Sequence, residues 1–75
     1  MTNEEILNHA IQTRNEAAEQ FLADYEAGLN CSEYINKKRD EFCSTQEEKD
    51  LWDLAFIHSR EPEVALKLMG EAKNK

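Results

Sequence analysis

Helix breakers are nearly missing from this sequence. It has one proline, Pro62, and two glycines, Gly28 and Gly70. Alternating runs of β-branched and aromatic residues are missing too, so nothing favours a strand. No apolar stretch approaches the ~20 residues that cross a bilayer. The acidic start, Met-Thr-Asn-Glu-Glu, is not followed by an apolar segment of the kind that directs secretion. A cytoplasmic chain without membrane contact is the expectation. Cysteine is scarce, and Cys31 and Cys43 fit no CxxC pattern. On one helix they would lie about 18 Å apart, beyond the ~7 Å reach of a disulfide. Two reduced thiols are expected.

Positive charge is also in short supply. Nine Lys and Arg face sixteen Asp and Glu, which gives a formal net charge of −7. Phosphate backbones and anionic lipids are held by clustered cations. The one basic cluster, Lys37-Lys38-Arg39, is followed directly by Asp40 and Glu41 and reads as a solvated helix face. No direct nucleic-acid or membrane binding is expected. The motifs of catalysis are missing as well: there is no glycine-rich phosphate loop, no GxSxG and no HExxH. His9, Cys31, Cys43 and His58 are scattered rather than paired at metal-ligand spacing. No catalytic residue, metal or cofactor is predicted.

What the chain does contain is helix. Hydrophobic residues make up 40% of it, enough for one core in a single domain. So small a chain buries only about 60% of its unfolded surface, so its stability should be modest. Start and stop signals divide it into four helices, over residues 3–27, 31–42, 45–58 and 62–72. Thr2-Asn-Glu-Glu5, Asn30-Cys-Ser-Glu33 and Ser44-Thr-Gln-Glu47 each read as a capping box. Gly28 followed by Leu29 supplies a left-handed stop for the first helix. Pro62 suits the first turn of the fourth, after Ser59 or Glu61. The fold class predicted is all-α, a small bundle of three to four helices with a long N-terminal helix.

The first helix carries a heptad-like seam of Leu7, Ile11, Arg14, Ala18, Phe21 and Tyr25, broadened by Ile6, Ala10, Ala17 and Leu22. Arg14 interrupts it. Its stem packs while its head reaches water, or it pairs with a carboxylate on another helix. Away from the seam, Glu5, His9, Gln12, Glu16, Glu19, Ala23 and Glu26 recur at steps of four and three and form one outward stripe. Lysine is absent from this helix, so the carboxylates of the stripe are uncompensated. In the third helix, Leu51-Trp-Asp-Leu-Ala-Phe-Ile57 has six apolar residues in seven, more than one face can bury.

Two surfaces therefore emerge. Glu5, Glu16, Glu19 and Glu26 offer an acidic face for a basic partner, and Arg14, on the seam, offers an interface ion pair. Trp52 and Phe56 offer an apolar one, and such residues are enriched in interfaces. The predicted function is a non-enzymatic, regulatory interaction module that binds another protein, or a second copy of itself, through helical faces. The alternative is an acidic inhibitor that imitates nucleic acid and occupies a basic groove.

Overall fold

A computed structural model describes the backbone of residues 2–26 and 32–73, and the side chains of residues 2–20 and 32–72. Four helices follow one another: α1 (Asn3–Glu26), α2 (Ser32–Phe42), α3 (Gln46–Ile57) and α4 (Pro62–Lys73). There is no strand among the described residues. The chain is a small all-α bundle with a long N-terminal helix.

Helix starts follow local chemistry. The Thr2 amide donates to Glu5 Oε1 at 3.3 Å while the Glu5 amide donates to Thr2 Oγ1 at 3.2 Å, closing the first capping box. The box before α3 sits one residue later than its motif suggested. Thr45, not Ser44, caps the helix, and its partner is Glu48, not Glu47. Both frames satisfy the pattern. In the Thr45 frame, Glu48 Oε1 collects two amides, from Ser44 at 3.0 Å and Thr45 at 3.1 Å. At α4, Glu61 rather than Ser59 precedes Pro62, and the Glu61 carbonyl accepts the Ala65 amide at 3.0 Å. The expected Asn30 box and the Gly28–Leu29 stop lie outside the described residues.

Three of the helices share a core. α1, α3 and α4 all touch one another, whereas α2 meets only α1 and α3. The centre is Ile6, Leu7 and Ala10 of α1, Leu51, Trp52 and Ala55 of α3, and Ala65 and Met69 of α4, joined by Cys43. Ala10, Ala55 and Ala65 are completely buried. One such alanine on each helix lets three backbones approach closely, which larger residues would prevent.

This packing corrects the predicted seam. The buried face of α1 is Ile6, Ala10, Thr13 and Ala17, flanked by Leu7. Ala18 is exposed, and Ile11 and Arg14 are only half-buried. Leu7 keeps its place, but beyond it the buried positions are Ala10, Thr13 and Ala17 in place of Ile11, Arg14 and Ala18, each one residue earlier and so turned by about 100° at 3.6 residues per turn. Thr13 tolerates burial because its hydroxyl donates to the His9 carbonyl at 2.8 Å within its own helix. Phe21, Leu22 and Tyr25 fall outside the described side chains. Two large apolar side chains face out: Ile57 is 72% exposed and Val64 39%.

α2 is attached differently. It contains no buried residue. Ile35 and Phe42 only lean against the core. Its other ties are polar. Tyr34 donates its hydroxyl hydrogen to Glu16 Oε2 of α1 at 3.2 Å. Arg39 Nη1 donates to both carboxylate oxygens of Asp53 on α3, at 3.0 and 3.2 Å. Lys49 of α3 lies 3.7 Å from Asp40.

Candidate interaction surface

The apolar side of α3 divides between core and surface. Trp52 is only 1% exposed, so most of its ring belongs to the core. Phe56, half-buried, stacks on it with ring centroids 5.3 Å apart and planes at 12°. One turn beyond Asp53, Ile57 points away from the bundle. Together with Ile35, Ser32 and Asn36 of α2, these residues line an open groove of about 390 Å³ between α2 and α3. The groove is largely apolar. An aliphatic side chain as exposed as Ile57 beside two aromatic rings leaves hydrophobic surface in water at about 25 cal/mol per Å².

Behind the groove the aromatic stack continues into α1. The His9 imidazole lies flat on Phe42, with centroids 3.9 Å apart and an interplanar angle of 8°. Its Nδ1 accepts a hydrogen bond from Trp52 Nε1 at 3.0 Å. An indole nitrogen can only donate. His9 Nδ1 must therefore be unprotonated, and the neutral ring carries its proton on Nε2. Leaving the buried Trp52 donor unpaired would cost about 1–3 kcal/mol. Burial pushes the His9 imidazole below the ordinary histidine range, Lys38 of α2 adds to that, and Glu16 of α1 opposes both. The placement of His9 on the outer stripe is thus corrected. It lies on the flank of α1 where α2 and α3 meet.

The acidic stripe is similarly divided. Glu5 is occupied by the Thr2 cap. Glu16, half-buried, accepts from Gln12 Nε2 at 3.1 Å and from Tyr34. Glu19 is exposed, and Glu26 and Ala23 lie outside the described side chains. Arg14 has a neutral partner. Its Nη1 donates to the buried Ser59 Oγ at 2.8 Å and its Nη2 to Asn15 Oδ1 at 3.3 Å, which ties α1 to the turn between α3 and α4. Of the two readings of Arg14, the carboxylate pair is not among these bonds.

Elsewhere the chemistry is structural. Hydrogen bonds that Arg39 donates to Asp53 and Asp40 raise the pKa of its guanidinium, and Arg39 in turn lowers that of Asp40. Backbone amides of Ser44 and Thr45 lower Glu48. For Asp40 and Glu48 the folded state binds the proton less well than the unfolded chain. Their stabilisation is present above the ordinary carboxylate range near 4 and is lost as the pH falls below it. The basic cluster is accordingly more than a solvated face, since Arg39 bridges to α3 and Lys38 lies over the Tyr34 ring, 5.5 Å from its centroid. Cys43 is a free, buried thiol whose Sγ contacts the Glu48 carbonyl at 3.6 Å. Burial raises its pKa, as does Glu48, so it is held in the unreactive thiol form. Cys31 lies outside the described residues. No three His, Cys, Asp or Glu side chains converge to hold a metal among the described residues. No helix among them is long and apolar enough to cross a membrane.

The Trp52 and Phe56 signal was visible as an apolar excess in the sequence. Ile57 belongs to the same run, whereas the parts played by Ile35 and His9 carry no such signal, because each depends on where α2 lies. Comparison with family models, curated proteins and solved structures finds no match for the chain.

Proposed function

We propose that this chain is a non-enzymatic interaction module that binds another protein through the α2–α3 face. The observation that carries this reading is the groove beside Ile57, a residue left 72% exposed next to the Phe56 ring. A side chain of that kind at the mouth of an apolar groove is the sort of anchor around which binding energy concentrates. The net charge of −7 adds a long-range preference for a partner with a basic surface. Charge of that sort speeds encounter more than it sets affinity. The carboxylates of α1 support the mimic reading less well, because Glu5 and Glu16 are engaged within the chain.

The test is Ile57→Glu, which places a charge at the groove without touching the core. Stability should change by no more than about 0.5 kcal/mol, as at other exposed sites. Quantitative affinity capture from the native host should show proteins retained by wild type at 0.5 M salt and lost by the variant. Sedimentation equilibrium on both proteins would show whether a second copy is the partner. Identical capture and sedimentation profiles for the two would refute the reading.

A further inference from the structure

His9 sits where three helices meet, and it is the only titratable side chain whose ring is both stacked on α2 and hydrogen-bonded to α3 among the described contacts. Its acceptor nitrogen receives the Trp52 indole hydrogen. An imidazolium carries hydrogen on both nitrogens and cannot accept one. Protonation therefore turns an attraction into two N–H groups facing each other across 3.0 Å. The contact cannot survive in that form.

The surroundings decide what gives way. From α2, Lys38 brings a second positive charge towards the ring. Phe42, also of α2, offers only its π-face, which favours a cation weakly. From α3, the group that meets His9 is the uncharged indole of Trp52. From its own helix, Glu16 favours the cation, but its Oε2 is shared with the Tyr34 hydroxyl. α1 and α3 are also joined by Ile6, Leu7, Ala10, Leu51 and Ala55, all buried. α2 has no buried residue to hold it. The strain of a charged His9 is relieved at least cost by moving α2.

We propose that His9 is an acid-sensitive latch: its neutral ring, clamped between Phe42 and the Trp52 N–H, holds α2 on the three-helix core, and its protonation releases α2 while α1, α3 and α4 stay packed. Undocking gives the imidazolium water on its Phe42 side and takes Lys38 away. It also uncovers the Trp52 edge, where the indole can donate to solvent instead. Because Trp52, Ile35 and Asn36 line the groove, the same step dismantles that groove. The latch itself does not depend on any partner being bound.

Linkage gives the sign. A histidine that is harder to protonate when docked stabilises docking fully above the undocked value of about 6.5, and this stabilisation is lost as the pH falls through the docked value. The loss is about tenfold in the docking equilibrium for each pKa unit by which docking depresses the ring.

The experiment is a proton and nitrogen NMR titration of the whole chain from pH 7.5 to 5, above the carboxylate range, with amide exchange measured at both ends. His9 should titrate below 6.5 with Nε2 protonated at the start, and the Trp52 indole signal should move with it. Protection factors of residues 32–42 should fall, and those of α1, α3 and α4 should not. His9→Asn supplies an acceptor that cannot be protonated, so its α2 protection should be the same at both pH values. The proposal is overturned if His9 titrates at or above 6.5, or if α2 protection in wild type is constant across the range. It is also overturned if His9→Asn folds and keeps the wild-type pH dependence. Should His9→Asn not fold, the wild-type titration decides alone.

Discussion

α2 and α3 are nearly the same length, eleven and twelve residues, yet they are held by different forces. α3 places Leu51, Trp52 and Ala55 in the core, with a completed capping box at its start. α2 buries no residue fully and relies on Tyr34–Glu16, Arg39–Asp53 and the Phe42–His9 stack. Hydrophobic burial is indifferent to salt and to moderate pH. Ion pairs, a carboxylate-bound phenol and a neutral imidazole are not. Two elements of one small domain should therefore respond to different solution conditions, and α2 should open at a lower free energy than the rest.

The largest effect expected is one that abolishes the distinction. Trp52→Ala removes a fully buried ring that touches His9 and Phe56 and also lines the groove. It should cost about 3–5 kcal/mol. That approaches the total stability of many domains of this size. Urea unfolding followed by circular dichroism should show loss of all four helices together. A variant in which only α2 melts would mean that the core holds without its largest side chain, and the division of forces drawn above would be wrong.

A middle-sized effect should isolate α2. Arg39→Ala cuts the bridge to Asp53 and leaves Asp40 with Lys49 alone. Arg39 is 22% exposed and Asp53 46%, so solvent screens the pair and its worth is about 0.2–1 kcal/mol. Amide exchange at low ionic strength should show faster opening of residues 32–42 and little change in α3. In wild type, 1 M salt should reproduce part of that change, and in the variant it should add little. Equal loss of protection in α2 and α3 would show that the bridge supports the whole bundle.

These contrasts also explain what could be read in advance. Helix identity and starts were legible because caps are local: Thr2 with Glu5 is a contact between residues three apart. The Thr45 frame was ambiguous only because Ser44 precedes it. Ile6, Leu7, Ala10 and Ala17 of α1 are buried as the broadened seam implies, whereas the seam omits Thr13, whose hydroxyl reads as polar, and includes Ile11, which is only half-buried. At a three-helix crossing, small size matters more than apolar bulk, and a threonine can satisfy its own hydroxyl. His9 and Arg39 read as surface residues, and the structure turns both inward to another helix. Their partners, Trp52 and Asp53, lie 43 and 14 residues away, and no periodicity in either helix encodes the pairing. Ile57 followed the same logic in reverse. It belongs to the densest apolar run in the chain, but α3 has only one face turned to the core.

The smallest effect separates two carboxylates that look equivalent along the stripe of α1. Glu16 and Glu19 are three residues apart, and both were assigned to an outward acidic face. Glu19 is exposed, so Glu19→Lys should change stability by no more than about 0.5 kcal/mol. Glu16 is half-buried and accepts the Tyr34 hydroxyl, so Glu16→Lys loses a hydrogen bond worth about 0.5–1.5 kcal/mol. It also sets a second cation beside Lys38, close to His9. Glu16 is the group that favours His9 protonation. Its replacement should move the His9 midpoint further down, so that α2 in the variant is less firmly docked at pH 7.5 and, by the linkage above, loses more of its docking as the pH falls. Glu19→Lys should leave that midpoint almost where it is. The two lysine variants carry the same net charge, so any difference between their His9 titrations reports position rather than overall charge. Coincident titration curves would mean that Glu16 acts on His9 no more strongly than Glu19 does, and that its place beside the ring does not tune the imidazole.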